Sequence, residues 1–351
     1  MIEEHENLLR VIRFDQPDHI PMDFHINSAC WHHYTTDALR DLIAAHPLLF
    51  PDFDRSATDA KLEFAPWEKA GERYTDSWGC LWETTDDGIV GTVTGHPLEN
   101  WDKFETYTAP DPAENLRLGP ANWDRVVKTS RKPRATHRLG NDSLQHGHTF
   151  QTLADIRGYE NLLFDMADDE PRLYKLIEMV EEFNLSVVNR YIELGAEWMG
   201  YPEDLGMQAG PMISPDQFRK FIKPGYQRLI KPARDAGCII HMHSDGDIRQ
   251  LADDLIECDL DIINLQDLVN GIDWIAEHLK GRICVDLDID RQKVTRFGNP
   301  ADIDGLIREE VEKLGSRDGG LMMIYGLYPG VPLENIKALM EAMERYSTYY
   351  S

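Results

Sequence analysis

Cys238-Ile-Ile-His-Met-His-Ser-Asp-Gly-Asp247 decides how the chain is read. Two isoleucines lead into two histidines, a serine, two aspartates and a glycine. Ile248, Leu251, Ala252 and Leu255 then follow at helical spacing. The order is a buried strand, a polar turn and a helix. No other stretch puts so many metal-capable side chains on so few residues. In a barrel of alternating strands and helices, such a turn faces the catalytic side.

The same alternation continues on both sides of this stretch. Ala196–Asp204, Cys238–His243, Ile262–Gln266, Ile283–Asp290 and Leu321–Tyr325 read as strands with continuous apolar runs. Helical patterns cover 149–157, 159–166, 170–194, 272–279, 302–314 and 333–346. Pro171 and Gly195 mark the start and stop of one of them. Ser214 caps the next, which runs to about Ala236, and Pro224 and Pro232 must kink or break it. Five strand-helix units with apolar strands argue for a parallel sheet covered by helices.

Earlier in the chain, Glu4–Ile12 reads as an opening helix, Ile20–Ile26 as the first strand and Arg134–Leu139 as a further strand. Tyr74–Trp82 and Ile89–Thr94 flank Asp86-Asp-Gly88, a hairpin signal. The expected fold is therefore α/β: an eight-stranded (β/α)8 TIM barrel with an N-terminal extension and an inserted β-hairpin. Residues 1–351 form one barrel domain in this reading, with 60–110 as the hairpin excursion.

Composition narrows the function classes. The 351 residues are 42% hydrophobic, enough for a large core. The formal net charge of −26 makes nucleic acid and anionic membranes poor partners, and suits solubility. No run of 18 apolar residues exists, and the start Met-Ile-Glu-Glu-His-Glu-Asn lacks the features of a secretion signal. The default expectation is a cytoplasmic protein. Cys30, Cys80, Cys238, Cys258 and Cys284 form no Cys-x-x-Cys pair and are expected as buried thiols. Walker, dinucleotide and Gly-x-Ser-x-Gly motifs are absent from the sequence.

Lining up the strand exits gives Glu203 and Asp204, then His241, His243 and Asp245, then Asn264 and Gln266, then Asp286, Asp288 and Asp290, then Tyr325 and Tyr328. These ends converge on one barrel mouth. Imidazoles beside carboxylates there can ligate a divalent metal such as zinc, or move protons. His243 and Asp245 share a side in extended backbone, as does His241 if the strand reaches that far. We expect His243, Asp245 and Glu203 as metal ligands, and Glu203, Asp204 and Tyr325 as catalytic groups. His25, Gln266 and Asp288 are the expected substrate contacts; for His25 this requires the Asp23–His25 face of the first strand to point into the cleft. His32, His33, His137, His146 and His148 read as surface or lid residues.

Several stretches together carry a resemblance. They are Tyr74–Trp82, His96-Pro-Leu98, Glu203–Pro215, Phe221-Ile-Lys-Pro224, His243–Ile248 and Pro332–Ile336. In their order and spacing the chain resembles the uroporphyrinogen decarboxylase superfamily, and within it the corrinoid-linked methyltransferases. The resemblance implies a (β/α)8 barrel, a corrinoid carried by a partner protein, zinc and a homodimer. It also implies methyl transfer from a small donor, such as a methoxylated compound. The superfamily's decarboxylases carry an Arg-Gln-Ala-Gly-Arg segment after the first strand, where this chain has Phe24–Trp31 without arginine. Methyltransferases of the branch show His-x-Cys-Gly and a later cysteine as zinc ligands. Here Asp245 stands at the first cysteine position and Tyr325 near the second. The alternative readings are a decarboxylase, which needs a basic pair drawn from residues such as Arg138 and Arg157, and a non-catalytic barrel that binds a tetrapyrrole or a corrinoid protein.

Overall fold

The computed structural model describes residues 4–55, 63–130 and 141–351. Seven strands form one curled parallel sheet: β1 (Met22–Ile26), β2 (Asn141–Ser143), β3 (Trp198–Pro202), β4 (Ile239–Ser244), β5 (Ile262–Gln266), β6 (Cys284–Asp288) and β7 (Leu321–Leu327). Their order is β1-β7-β6-β5-β4-β3-β2. Chain neighbours from β2 to β7 are therefore sheet neighbours, and β7 turns back to pair with β1. An eighth strand was expected to close this sheet. Among the described residues the sheet has seven, and β1 and β2 lie at its two ends. The expected strand Arg134–Leu139 lies outside the described residues. Between β1 and β2, Arg73–Thr75, Leu81–Glu83 and Thr92–Gly95 form a separate antiparallel sheet.

A strand period of two divides every barrel strand into two faces. Ile240, Met242, Ile263, Leu265, Val285, Leu287, Met323 and Tyr325 point outward and join the main core. They pack with helix residues such as Leu229, Leu255, Ile275, Ile307 and Leu339. Burial of each such side chain stabilises the layer by roughly 1.5–3 kcal/mol. The inward set is different in kind: Asp23, His25, Gly200, Pro202, His241, His243, Asn264, Asp286 and Asp288 line a cavity. An apolar floor closes the other end. Leu8, Val11 and Ile12 of the opening helix Glu4–Arg13 pack there on Trp198, Ile262 and Cys284.

The helix expected across Ser214–Ala236 is interrupted before Pro224, but it runs on through Pro232, which was expected to kink or break it. Ser214 caps a short turn, a wide turn follows over Phe218–Ile222, and the regular helix restarts at Lys223 with Pro224 in its first turn. All five cysteines are buried and free. Among the described residues, no helix is long and apolar enough to cross a membrane.

One buried acid stands out in the helical layer. Glu310, on helix Pro300–Leu314, is fully buried, and neither carboxyl oxygen meets a hydrogen-bond donor. Burial first, then the neighbouring Asp267 and Asp290, push its pKa well above the ordinary range. The folded protein therefore keeps a proton that the unfolded chain releases near pH 4.3. That stability contribution is complete below the unfolded pKa and is lost as pH rises through the folded one. Glu310→Gln removes this carboxyl's share of the dependence, while Asp267, also raised by burial, keeps its own. The variant's urea midpoint, relative to wild type, should climb between pH 5 and pH 8; parallel profiles would refute the assignment.

Candidate functional site

The cavity inside the sheet has a volume of about 370 Å3. It runs from the floor at Leu8 and Trp198 up to His243, Asp288, Arg291 and Tyr328 at the strand exits. Adjacent strands bring their polar residues level, with Pro202 beside His243, His243 beside Asn264, and Asn264 beside Asp286. Mid-depth, His241 Nε2 donates to Asp286 Oδ2 at 3.0 Å and its ring lies against Trp198.

A glycine contact sets the upper layer. Gly246, at φ +82°, lies so close to Gly206 that a Cβ there would sit 2.1 Å from the Gly206 carbonyl. Gly206 N–H donates to the Asp245 carbonyl at 3.2 Å, and Asp247 N–H to the Met207 carbonyl at 2.7 Å. The loops after β3 and β4 are thus locked together, and Asp204 comes to rest against His243 and Asp245.

His243 has a defined tautomer. Asn264 Nδ2 donates to the Asp286 carbonyl at 2.6 Å, which leaves its Oδ1 as the acceptor facing His243 Nδ1. Nδ1 therefore carries the proton, and the Nε2 lone pair faces the cluster. Burial lowers the His243 pKa, so the ring is neutral near pH 7. Nε2 lies 3.8 Å from Asp204 Oδ1 and 3.7 Å from Asp245 Oδ1.

Two groups of three ligand atoms meet at this nitrogen, each within 4.8 Å: His146–Asp204–His243 and His243–Asp245–Asp288. In the first, His146 Nε2 lies 3.2 Å from Asp204 Oδ1. Burial opposes charge on both, yet their pairing prevails: His146 is raised and Asp204 is lowered to about 2. In the second group, Arg291 Nη2 donates to Asp288 Oδ2 at 2.7 Å and to Asp245 Oδ1 at 3.1 Å. Burial pushes the Asp288 carboxyl up to about 8, against the pull of Arg291.

The expected site residues divide into two sets. His243, Asp245, Asp204 and Asp288 come together, and His25 lines the cavity near β1. Gln266 lies just beside the cluster, where Oε1 accepts from Gly246 N–H at 3.0 Å. Glu203 and Tyr325 are elsewhere. The Glu203 carboxylate is fully buried and accepts from the N–H groups of Thr149, Phe150 and Gln151 and from the Tyr226 hydroxyl. It caps helix Phe150–Arg157. Tyr325 packs on Phe24 in the outer core, with its hydroxyl 3.2 Å from Thr295 Oγ1; Tyr328 is the tyrosine that lines the cavity. Asp290 accepts from backbone N–H groups of Lys293 and Val294 and so makes a turn.

Two residues of the cluster are not marked by the sequence pattern. His146 is a cluster residue rather than a lid: β2 ends at Ser143, later than the expected strand, and this puts His146 at a strand exit. Arg291 directly follows the acidic run on β6, where three alternating aspartates dominate the pattern. Of the arginines expected to clamp anions, Arg157 is buried against Asp165 and Trp101, and Arg138 lies outside the described residues.

Comparison with known proteins now bears on this geometry. The family model described as Uroporphyrinogen decarboxylase (URO-D) matches residues 145–346, more than half of the chain. The chain belongs to the uroporphyrinogen decarboxylase family. This URO-D chain is 24% identical over 179 residues to the methylcobamide:CoM methyltransferase MtaA of Methanosarcina barkeri, covering 48% of each protein. It is 25% identical over 194 residues to the uroporphyrinogen decarboxylase of Thermus thermophilus, covering 51% of this chain and 50% of that protein. The chain thus spans about half the length of the curated relatives it matches. A methyltransferase from Methanosarcina mazei superposes over all of both chains with a TM-score of 0.68 at 16% identity, which shows a shared fold.

The Glu203 geometry has a measurable consequence. Glu203→Gln turns one acceptor oxygen into a donor that faces backbone N–H groups. Urea unfolding should show a loss of roughly 1–3 kcal/mol. Metal content should stay at the wild-type level; its loss in a folded variant would return Glu203 to the ligand set.

Proposed function

We propose that this chain is a methyltransferase that passes a methyl group from a small donor, such as a methoxylated compound, to a corrinoid held by a separate protein. The observation that carries the reading is the His243 centre. A neutral imidazole of fixed tautomer presents Nε2 among carboxylates, at the top of a cavity sized for a small molecule. The likeness to MtaA over half its length supports the same reading.

The residues present fit a divalent cation. His243 supplies a neutral nitrogen, and Asp204 and Asp245 supply hard oxygens within reach. Such a cation would supply Lewis acidity to the donor's leaving atom. The chain's own groups do the rest. Asp288, with its pKa raised to about 8, keeps its proton near neutrality and can deliver it to the departing oxygen. Arg291 holds that carboxyl in place. The methyl group leaves toward the open mouth, where the partner's corrinoid would dock.

Decarboxylation is the second reading, favoured by the comparable likeness to the Thermus thermophilus enzyme. The lining of the cavity weighs against a polyanionic substrate. Arg291 is its one lysine or arginine among the described residues and is already bridged to Asp245 and Asp288. Asp23 and Asp286 add further carboxylates.

Metal-replete protein, a reduced corrinoid protein and a panel of methyl ethers and other methyl donors test the proposal. Methylation of the corrinoid should appear in its absorption spectrum and should fall by about 100-fold or more in His243→Ala. Failure of transfer from every donor, together with carbon dioxide release from a carboxylated substrate, would install the second reading.

A further inference from the structure

We propose that the divalent cation binds between His146, Asp204 and His243, while Arg291 fills the neighbouring position between Asp245 and Asp288. This rests on the metal-bearing reading above and selects its ligands. Two of them differ from the positions that the family resemblance implies.

Both groups share His243 Nε2, so the choice turns on their other members. Asp245 and Asp288 already hold a cation. The Arg291 guanidinium lies 3.1 Å from one and 2.7 Å from the other, and it is permanently charged. A metal placed there would have to expel it or suffer like-charge repulsion at close range. Among the described residues, the ion-pair partners of Asp204 are imidazoles, which can release a proton and turn a lone pair inward.

The spacing agrees. Ligand atoms about 2.0–2.2 Å from a tetrahedral zinc lie about 3.3 Å from one another. His146 Nε2 and His243 Nε2 lie 3.2 and 3.8 Å from Asp204 Oδ1. The second shell is also in place. Asn264 fixes the His243 ring, Gln151 Nε2 holds one Asp204 oxygen at 3.1 Å, and the Asp245 N–H donates to the other, Oδ1, at 3.2 Å, which orients Oδ1 beside the imidazoles. His146 is half-exposed, so a fourth position on this side opens to solvent or substrate. Two imidazoles and one carboxylate with an open position make a ligand set typical of catalytic zinc or iron(II).

Chelator-stripped full-length protein is titrated with Co2+, whose visible absorption reports ligand type and geometry. Wild type should bind one equivalent and show bands of a nitrogen- and oxygen-ligated site. His146→Ala and Asp204→Asn should bind at least about 100-fold more weakly. Asp245→Asn and Asp288→Asn should stay within about threefold of wild type. Circular dichroism and melting confirm folding, and His146→Ala alters a half-exposed side chain, so it keeps the test available. Wild-type affinity in His146→Ala, loss confined to the Asp245 and Asp288 variants, or no binding of Co2+ by wild type would each overturn the assignment. Methyl transfer measured on the same samples separates the two proposals. Transfer that survives in His146→Ala leaves the methyltransferase reading standing without this metal site, and a metal-bound wild type inert toward all donors does the reverse.

Discussion

The two-residue period of the barrel strands governs this molecule. One face of each strand must satisfy the helices, and the other is left to chemistry. The outward face is apolar almost without exception, from Ile240 to Leu327. The inward face carries imidazoles, carboxylates and amides that cannot collapse on one another without losing hydration. The sheet is therefore held from outside by its helices and from below by the Leu8–Val11–Ile12 floor. The lumen stays hollow where this polar set faces itself, beside the apolar residues Trp198, Met322 and Ile324. In a barrel whose interior is packed with branched aliphatics, the same topology would leave no cavity.

Within that frame, the site depends on backbone fit more than on the reactive groups themselves. Gly206 against Gly246 brings two strand exits closer than any side chain would allow. Asn264 then dictates which nitrogen of His243 is bare. Asp288 and Asp204, both carboxylates near one imidazole, move in opposite directions: burial raises the first to about 8, and His146 outweighs burial to lower the second to about 2. One site thus holds a protonated and an ionised carboxyl at neutral pH, a difference set by environment alone.

Much of this was legible in the residues. Ile262–Gln266 and Leu333–Ser347 follow from run length and helical period, and the convergence of His243, Asp204, Asp245 and Asp288 follows from strand exits alone. What was hidden depended on distance in three dimensions. Glu203 looks like a ligand in sequence, yet it serves three backbone N–H groups more than fifty residues away. His146 looked like a loop residue because β2 is only three residues long and leaves little pattern. Tyr325 sits at the right height but on the wrong face, since alternation turns it toward Phe24.

The pairing of β1 with β7 has a consequence for how the chain acquires its shape. Met22 lies opposite Met323, so nearly the whole chain separates the two strands. Among the described residues, β7 is the one strand that β1 pairs with. During synthesis, the first strand emerges early and, among the described residues, has no strand to pair with until Leu321–Leu327 has left the ribosome. The helices and strands from β2 to β6 can assemble sequentially in the meantime, each on its immediate predecessor. Pairing of β1 is thus a late, long-range event, whereas the apolar face of Glu4–Arg13 meets its partners Trp198, Ile262 and Cys284 as soon as β3, β5 and β6 are in place.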